Sequence, residues 1–516
     1  MLIRQVLADQ IKTTLAQANI VLPVPIVMDV PAHSDHGDFA TNVAFQLAKT
    51  LRKAPKQIAE DFAGILNAEW ESQGLRFEAL NGFLNLKLSD AWIWKAADQV
   101  TLTFPKTTAT TLLEYVSANP TGPLHIGHGR WAVLGSALAQ LLRFVGQPVS
   151  TEFYINDAGN QIQKFYESVA AVREGKPVPE GGYQGAYIHD LAASDADPLQ
   201  ANLEAHRRTL ASVGVAFDRW FSEKTLYQNQ AIDGVLRLLA QKDLSYTQDG
   251  ALWFKSTAFG DEKDRVLVKA DGAYTYFLVD IAYHRDKLSR GYDRLINIWG
   301  ADHHGYVARV KAAVEAVSEA EKPQELVVLI GQLVSLVRGG EPFRMSKRTG
   351  EMVTFDEVIE EVGSDAIRYF LIQKSPDTHM DFDVELAAKK TNENPVFTIQ
   401  YAHARLCGIL KKLAEVSATL PKAEAPTTLE KAERALLLNW IQLPNDLWDF
   451  AHQMAPHRVA QAALETAKLF HAFYETCPLL KAPPEQQAPR LVILEKTQTM
   501  LAQLLHILGI TAPQEM

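Results

Sequence analysis

The stretch TLLEYVSANPTGPLHIGHGR, residues 111–130, changes character twice. A short apolar, β-rich run from Thr111 to Ser117 breaks at Ala118-Asn-Pro-Thr-Gly-Pro123. A helical pattern then resumes near His128 and continues through Leu142. Strand, Gly/Pro loop and helix, in that order, open a βαβ unit. His125-Ile-Gly-His128 falls between the strand and the helix. A helix N-terminus offers unpaired N–H groups and the positive end of a dipole, which together favour phosphate. Gly127 leaves room for a planar base against the backbone, and the imidazoles of His125 and His128 are adjacent donors for phosphate oxygens. A His pair at a helix start also serves as a cap or as core packing, and the tetrapeptide alone leaves both readings open.

Working outward, residues 149–155 and 295–299 read as further core strands, each followed by a polar or Gly-containing turn. The fold expected for this part is α/β with a parallel sheet. Residues 175–200, rich in Pro, Gly and Asp, read as a surface insertion. Before the core, Ile3, Val6, Leu7, Ile11 and Leu15 recur at helical spacing. A polar turn at 32–38 precedes a second helical pattern from Phe39 to Leu51, and residues 83–88 alternate as a strand does. This first unit is α+β, and residues 104–108 are its linker. From about Asn394 the strand signals stop. Residues 400–413, 429–441, 458–477 and 491–508 carry helical periodicity, so an α-helical bundle is expected to follow the core. The expected domains are 1–105, 106–393 with an insertion near 165–260, and 394–516.

Composition narrows the classes. The chain has 516 residues, with 51 Lys+Arg against 61 Asp+Glu for a net charge of −10. At about 150 residues per domain that length suggests roughly three domains. No apolar run approaches the ~20 residues a bilayer span needs, and Asp9, Gln10 and Lys12 interrupt any signal-peptide core. Two cysteines, Cys407 and Cys477, make neither a zinc cage nor a disulfide framework. A soluble, cytoplasmic protein without membrane partners or a structural metal is expected. On an acidic chain, any nucleic-acid contact must come from local positive patches.

A second segment bears on His125 and His128. Gly340-Glu-Pro-Phe-Arg-Met-Ser-Lys-Arg-Thr-Gly350 is a cationic loop with glycine at both ends. In it Lys347 is a natural phosphate ligand, a point charge on a flexible stem. Standing alone it reads more readily as a solvated basic loop.

Together, Ser117-Ala-Asn-Pro-Thr-Gly-Pro-Leu-His-Ile-Gly-His-Gly-Arg130 and Met345-Ser-Lys347 resemble the two signature motifs of class I aminoacyl-tRNA synthetases. More narrowly, the chain is similar to the bacterial arginyl-tRNA synthetase family. The similar stretches include His36-Gly-Asp-Phe-Ala-Thr-Asn42, Glu114-Tyr-Val-Ser-Ala-Asn119, Tyr276-Phe-Leu-Val-Asp280, Trp299-Gly-Ala-Asp-His-His-Gly-Tyr306 and Gln400-Tyr-Ala-His-Ala-Arg405. Arg344 stands where the wider class has a lysine, a departure arginyl members share.

The resemblance implies a Rossmann-like class I core and ligation of L-arginine to tRNA(Arg) by way of an arginyl-adenylate, releasing pyrophosphate and then AMP. It assigns the nucleotide to His125, Gly127, His128, Met345, Ser346 and Lys347, with His125, Gly127, His128 and Lys347 carrying catalysis, and Mg²⁺ arriving with the ATP. It assigns arginine to Ser117, Asn119, Glu114, His128, Tyr276, Asp280 and Glu223. A guanidinium suits paired carboxylates, although Glu223 also reads as an exposed helix-end charge and Asp280 as a cap or ion-pair residue. Asp302, His303 and His304 line the site in an order the sequence does not rank. The first unit and the bundle become tRNA readers, with Tyr401, His403 and Arg405 either stacking on bases or packing between helices. Monomer is the family default. The rivals are a sister synthetase, which for cysteine or methionine usually needs thiol ligands absent here, a nucleotidyltransferase, which needs no bundle after the Met-Ser-Lys loop, and a silent RNA-binding paralogue.

Overall fold

The structure, a computed structural model, describes residues 2–319, 324–343, 353–417, 426, 428–479 and 482–516 (side chains at 34, 414–417 and 484 excepted). In the N-terminal unit, β1 (Phe39–Thr41), β2 (Leu75–Leu80) and β3 (Phe83–Leu88) form an antiparallel sheet in the order β1-β3-β2. Leu80 pairs with Phe83, so the hairpin has a two-residue loop, Asn81-Gly82, with φ of 51° and 87°. That pair of positive φ values is the turn whose twist suits a hairpin. The helix expected from Phe39 begins instead at Val43. Phe39–Thr41 is a strand, because Ala40 exchanges hydrogen bonds with Asp29 and the three residues pair with 84–86.

The core sheet is built from β4 (Thr111–Glu114), β5 (Val149–Ile155) and β6 (Arg219–Ser222), then, after an antiparallel trio β7 (Ser245–Gln248), β8 (Ala251–Phe254) and β9 (Arg265–Val268), from β10 (Arg294–Gly300) and β11 (Glu325–Gly331). All neighbours in the order β11-β10-β4-β5-β6 run parallel. All four residues of β4 are buried, as expected of a strand covered on both faces. The Ile126–Phe144 helix carries the chain from β4 to β5 on one side, while β10 joins β4 on the other. The strand order therefore reverses at β4, and ligands of open α/β sheets bind beyond the carboxyl ends of strands at such a point. Residues 160–212, expected in part as surface insertion, hold three helices: Asn160–Arg173, Ala186–Ala193 and Pro198–Ser212.

A small sheet of β12 (Val334–Arg338), β13 (Glu341–Pro342) and β14 (Met380–Asp383) leads into four long helices, Pro395–Ser417, Lys431–His452, Pro456–Thr476 and Pro484–Leu508. They run longer than the periodicity suggested; Pro444 and Pro489 lie inside helices, where sequence alone favours breaks. Two arginines lock the bundle to the rest. Arg434 forks onto Asp38 with both bonds at 2.8 Å. Fully buried Arg368 donates to the carbonyls of Leu508 (2.6 Å) and Val213 (2.7 Å). Gly509 (φ 66°) is required beside it: a Cβ there would lie 2.5 Å from the guanidinium carbon.

Candidate active site

The head of the Ile126–Phe144 helix is capped by its own histidines. His125 Nδ1 accepts from the N–H of Gly127 (3.1 Å), and His128 Nδ1 accepts from the N–H of His125 (3.4 Å). With both Nδ1 atoms accepting, the proton of each neutral ring belongs on Nε2, leaving Nε2–H as the free donor. The rings stack with centroids 3.7 Å apart. Burial lowers the pKa of His125; burial, then His125 and His206, pull His128 down to about 3. Both are therefore neutral donors side by side, not two adjacent cations. Gly127 is needed because a Cβ would meet the folded-back His125 ring at 3.0 Å.

The loop before this helix is held from outside. The carbonyls of Pro120, Thr121 and Gly122 take hydrogen bonds from Asn202 (3.1 Å), Tyr187 (2.9 Å) and His206 (2.7 Å) in turn, all from the inserted helices. The loop also carries strain, since Val116 (φ 69°) and Ser117 (φ 46°) are consecutive left-handed residues and a β-branched residue there is a rare outlier. Phe355 N–H donates to the Leu124 carbonyl (2.7 Å), and Gly129 lets the Phe355 ring pack where a Cβ would lie 2.3 Å away. Residue 355 thus abuts the histidine pair. Arg344, Met345, Ser346 and Lys347 lie outside the described residues.

Beyond the ends of β4 and β6 three carboxylates gather. Glu114 accepts from Ser117 Oγ (2.9 Å) and is ion-paired with Lys287, whose ammonium also donates to Asn297 Oδ1 (2.9 Å). Glu223, buried rather than exposed, accepts from the hydroxyls of Tyr154 (2.8 Å) and Tyr227 (3.4 Å). Asp280 accepts from Tyr306 at 2.5 Å. Burial raises Glu223. Burial likewise pushes Asp280 up to about 7, with Glu114 and Glu223 adding to the rise and Tyr306 and Lys287 opposing it. Asp280 thus feels both Glu114 and Glu223, and the buried cation Lys287 lies in the same cluster, paired with Glu114. A carboxylate raised chiefly by burial, and further by neighbouring acids, gains most from a cation beside it.

Tyr276 stands one helical turn before Asp280 and is 71% exposed, at the rim. Asn119 donates to Gln161 (2.8 Å) at the surface of the loop. Asp302, His303 and His304 are exposed, with His303 Nε2 3.4 Å from Asp302. Tyr306, four residues past Asp302, makes the contact with Asp280. Sequence reasoning passed over Tyr154, Lys287 and Asn297, and in the stretch 299–306 it singled out Asp302, His303 and His304 rather than Tyr306. The spacing of Lys287 seven residues beyond Asp280 was a usable signal, since it puts both on one helix face.

A parallel sheet that presents His-x-Gly-His at the helix following its switch-point strand is the arrangement of class I aminoacyl-tRNA synthetases, and a match to their catalytic domain separates this chain from nucleotidyltransferases that share the tetrapeptide. Sequence families described as Arginyl tRNA synthetase N terminal domain, tRNA synthetases class I (R), catalytic domain, and DALR anticodon binding domain match residues 5–88, 201–402 and 399–516. The arginine–tRNA ligases of Desulforamulus reducens and Bacillus subtilis are 42% and 40% identical to this chain, over 99% of it and 100% and 99% of their own lengths. A crystal structure described as a putative arginyl-tRNA synthetase of Campylobacter jejuni superposes with a TM-score of 0.75 at 34% identity, covering 83% of this chain and all of that one. The chain belongs to the arginyl-tRNA synthetase family. Its reaction is the charging of tRNA with arginine, and ATP is a substrate.

Proposed function

We propose that both halves of the reaction run in this crevice. The arginine carboxylate attacks the α-phosphorus of ATP; a C–O–P linkage forms and the bond to pyrophosphate breaks. A terminal hydroxyl of the tRNA then attacks the carbonyl carbon, and AMP leaves. Charge spreads over phosphate oxygens in the first step, so positioned donors suffice. The Nε2–H groups of His125 and His128 serve as those donors beside Gly127, with Met345, Ser346 and Lys347 brought to the same phosphates. Mg²⁺ enters with ATP as part of the substrate.

Arginine lies with its guanidinium against Asp280 and Glu223 and under Tyr276, and with its α-amino end toward Ser117, Asn119 and Glu114. The observation that supports this assignment is the convergence of Glu114, Glu223 and Asp280, with Lys287 among them paired to Glu114. Lysine cannot present a planar fork to them, and sites that pair polar substrate groups discriminate by roughly 10⁴–10⁵ without editing. Residues 1–105 and 394–516 act as tRNA readers around a catalytic unit of 106–393, in a cytoplasmic monomer. The bundle reading draws support from Tyr401, which stacks with Phe397 and His471, and from Arg405 over Tyr474 at 3.9 Å. His403 drops out of it: it is buried and bonds the Pro513 carbonyl (2.8 Å). ATP–pyrophosphate exchange with each amino acid tests the whole reading. Exchange is expected with arginine plus tRNA and near background without tRNA; exchange driven by another amino acid would overturn it.

A further inference from the structure

Glu114 and Asn297 face each other as register partners on the parallel strands β4 and β10. The Tyr276–Ser289 helix lays His284 and Lys287, one turn apart, against the same two residues. All four are buried, and their hydrogen bonds form one chain with a forced direction. The ammonium of Lys287 only donates, so Asn297 turns its Oδ1 toward it (2.9 Å) and its Nδ2 toward His284 Nε2 (3.0 Å). That ring nitrogen must accept, which puts the proton on Nδ1, and Nδ1–H donates to the Asp280 carbonyl (2.8 Å). Burial, and then Lys287, pull His284 down to about 3, so the ring stays neutral. At the other end Lys287 is ion-paired with Glu114, which accepts from Ser117 Oγ (2.9 Å). Ser117 Oγ in turn accepts from the Tyr154 N–H (3.2 Å). The chain therefore runs from the backbone of Asp280 to the side chain of Ser117. A link that only packed the helix on the sheet would not need a charge, since apolar replacements of buried ion pairs are often neutral or better. Glu114 offers about four acceptor positions, of which Ser117 and Lys287 take two among the described residues. Ser117 itself is left-handed (φ 46°), a strained backbone that lasts only where its surroundings over-determine it.

We infer that His284 is a positioning residue for the amino end of the substrate: through Asn297 and Lys287 it sets Glu114 and Ser117 to take the α-ammonium group of arginine. Without the His284 acceptor, the Asn297 amide is free to turn its Nδ2 on Lys287, and the repelled ammonium no longer fixes Glu114. The inference rests on the reading of Ser117, Asn119 and Glu114 as the amino pole. Calorimetry with L-arginine and with desamino-arginine, the same guanidino acid without its α-amino group, tests the two separately. Wild type should prefer arginine; no preference in wild type would remove the amino pole from these residues, and the inference with it. His284→Leu should cut the preference roughly tenfold or more, the size of a lost charge-assisted hydrogen bond. Desamino-arginine and ATP should bind this variant as they bind wild type, which also reports a folded pocket. Asn297→Ser, a smaller cut in the same chain, carries the test if His284→Leu does not fold. His284→Gln, whose Oε1 stands in for Nε2 as the acceptor, should restore the preference. A preference that stays at the wild-type value in His284→Leu, an equal loss for both ligands, or a failure of His284→Gln to restore it overturns the proposal.

Discussion

Tyr306 hydroxyl donates to Asp280 Oδ2 at 2.5 Å while burial and two neighbouring acids push the same carboxyl up to about 7. The hydrogen bond favours the charged form and the surroundings oppose it, so Asp280 titrates where the protein works. A guanidinium tips that balance. Arginine binding should release a proton near neutrality, and affinity should fall about tenfold per pH unit below 7 and level off above 8. Calorimetry in two buffers of different ionisation enthalpy reads the proton directly. The stability linkage of the free protein runs the opposite way with pH. A carboxyl with a raised folded-state pKa contributes stability below its unfolded value that is lost as pH rises through about 7. Arginine should therefore raise the unfolding temperature more at pH 8 than at pH 6.

Asp280→Asn keeps the shape and removes the charge. Arginine affinity should drop by roughly 10²-fold, within the 2–5 kcal/mol typical of truncating one partner of a buried charged pair. ATP binding should be unaltered, and the pH dependence below 8 should flatten. Wild-type arginine affinity in this variant would remove Asp280 from the pocket.

His128 is neutral at every working pH, so its contribution is hydrogen bonding. His128→Ala should slow single-turnover activation by on the order of 10²–10³, as for a lost transition-state donor. At saturating arginine the wild-type rate should show no break near 6.5. A change below threefold on substitution would reject the role.

The strand, loop and helix at 111–130 were legible because the switch from apolar run to Gly/Pro loop to helical period is local. Phe39–Thr41 was not: three residues are too few for an alternating pattern, and the strand exists only through its partners at 84–86. His403 looked available for bases because residues 401–405 share aromatic and basic character, yet a helix turns His403 away from Tyr401 and Arg405, toward Pro513. Lys287 was overlooked because its partner Glu114 lies 173 positions away. The docking of the bundle through Arg368 was equally invisible. Cutting the chain near 395 would strip the Leu508 carbonyl from a buried guanidinium. Substitutions at Tyr401 and Arg405 probe tRNA reading more cleanly.

Asn202 and His206 act as positioning residues. Their side chains hold the Pro120 and Gly122 carbonyls, and with them the strained loop that orients Ser117 and the histidine pair. Asn202→Ala should lower kcat with little change in tRNA KM, while Asn202→Asp, which cannot donate, should do no better. Rescue by Asp would show that size, not the hydrogen bond, is what matters.

Lys287 is fully buried, and its ammonium is the cation nearest Glu114. Replacing it with methionine leaves a charged carboxylate without its partner in a site water barely reaches, a change that costs about 3–5 kcal/mol. The folded protein should therefore unfold at markedly lower denaturant concentration. Glu114→Gln alone should destabilise less, because an amide still accepts from Ser117. The pair of changes together should recover a large part of the loss, since removing both charges abolishes the penalty that either leaves behind. Arginine binding separates stability from function here: the double variant, though refolded, should still bind arginine weakly at its α-amino end. Additive destabilisation in the cycle would mean that Lys287 and Glu114 do not depend on each other, and the acid cluster would then need another counter-charge.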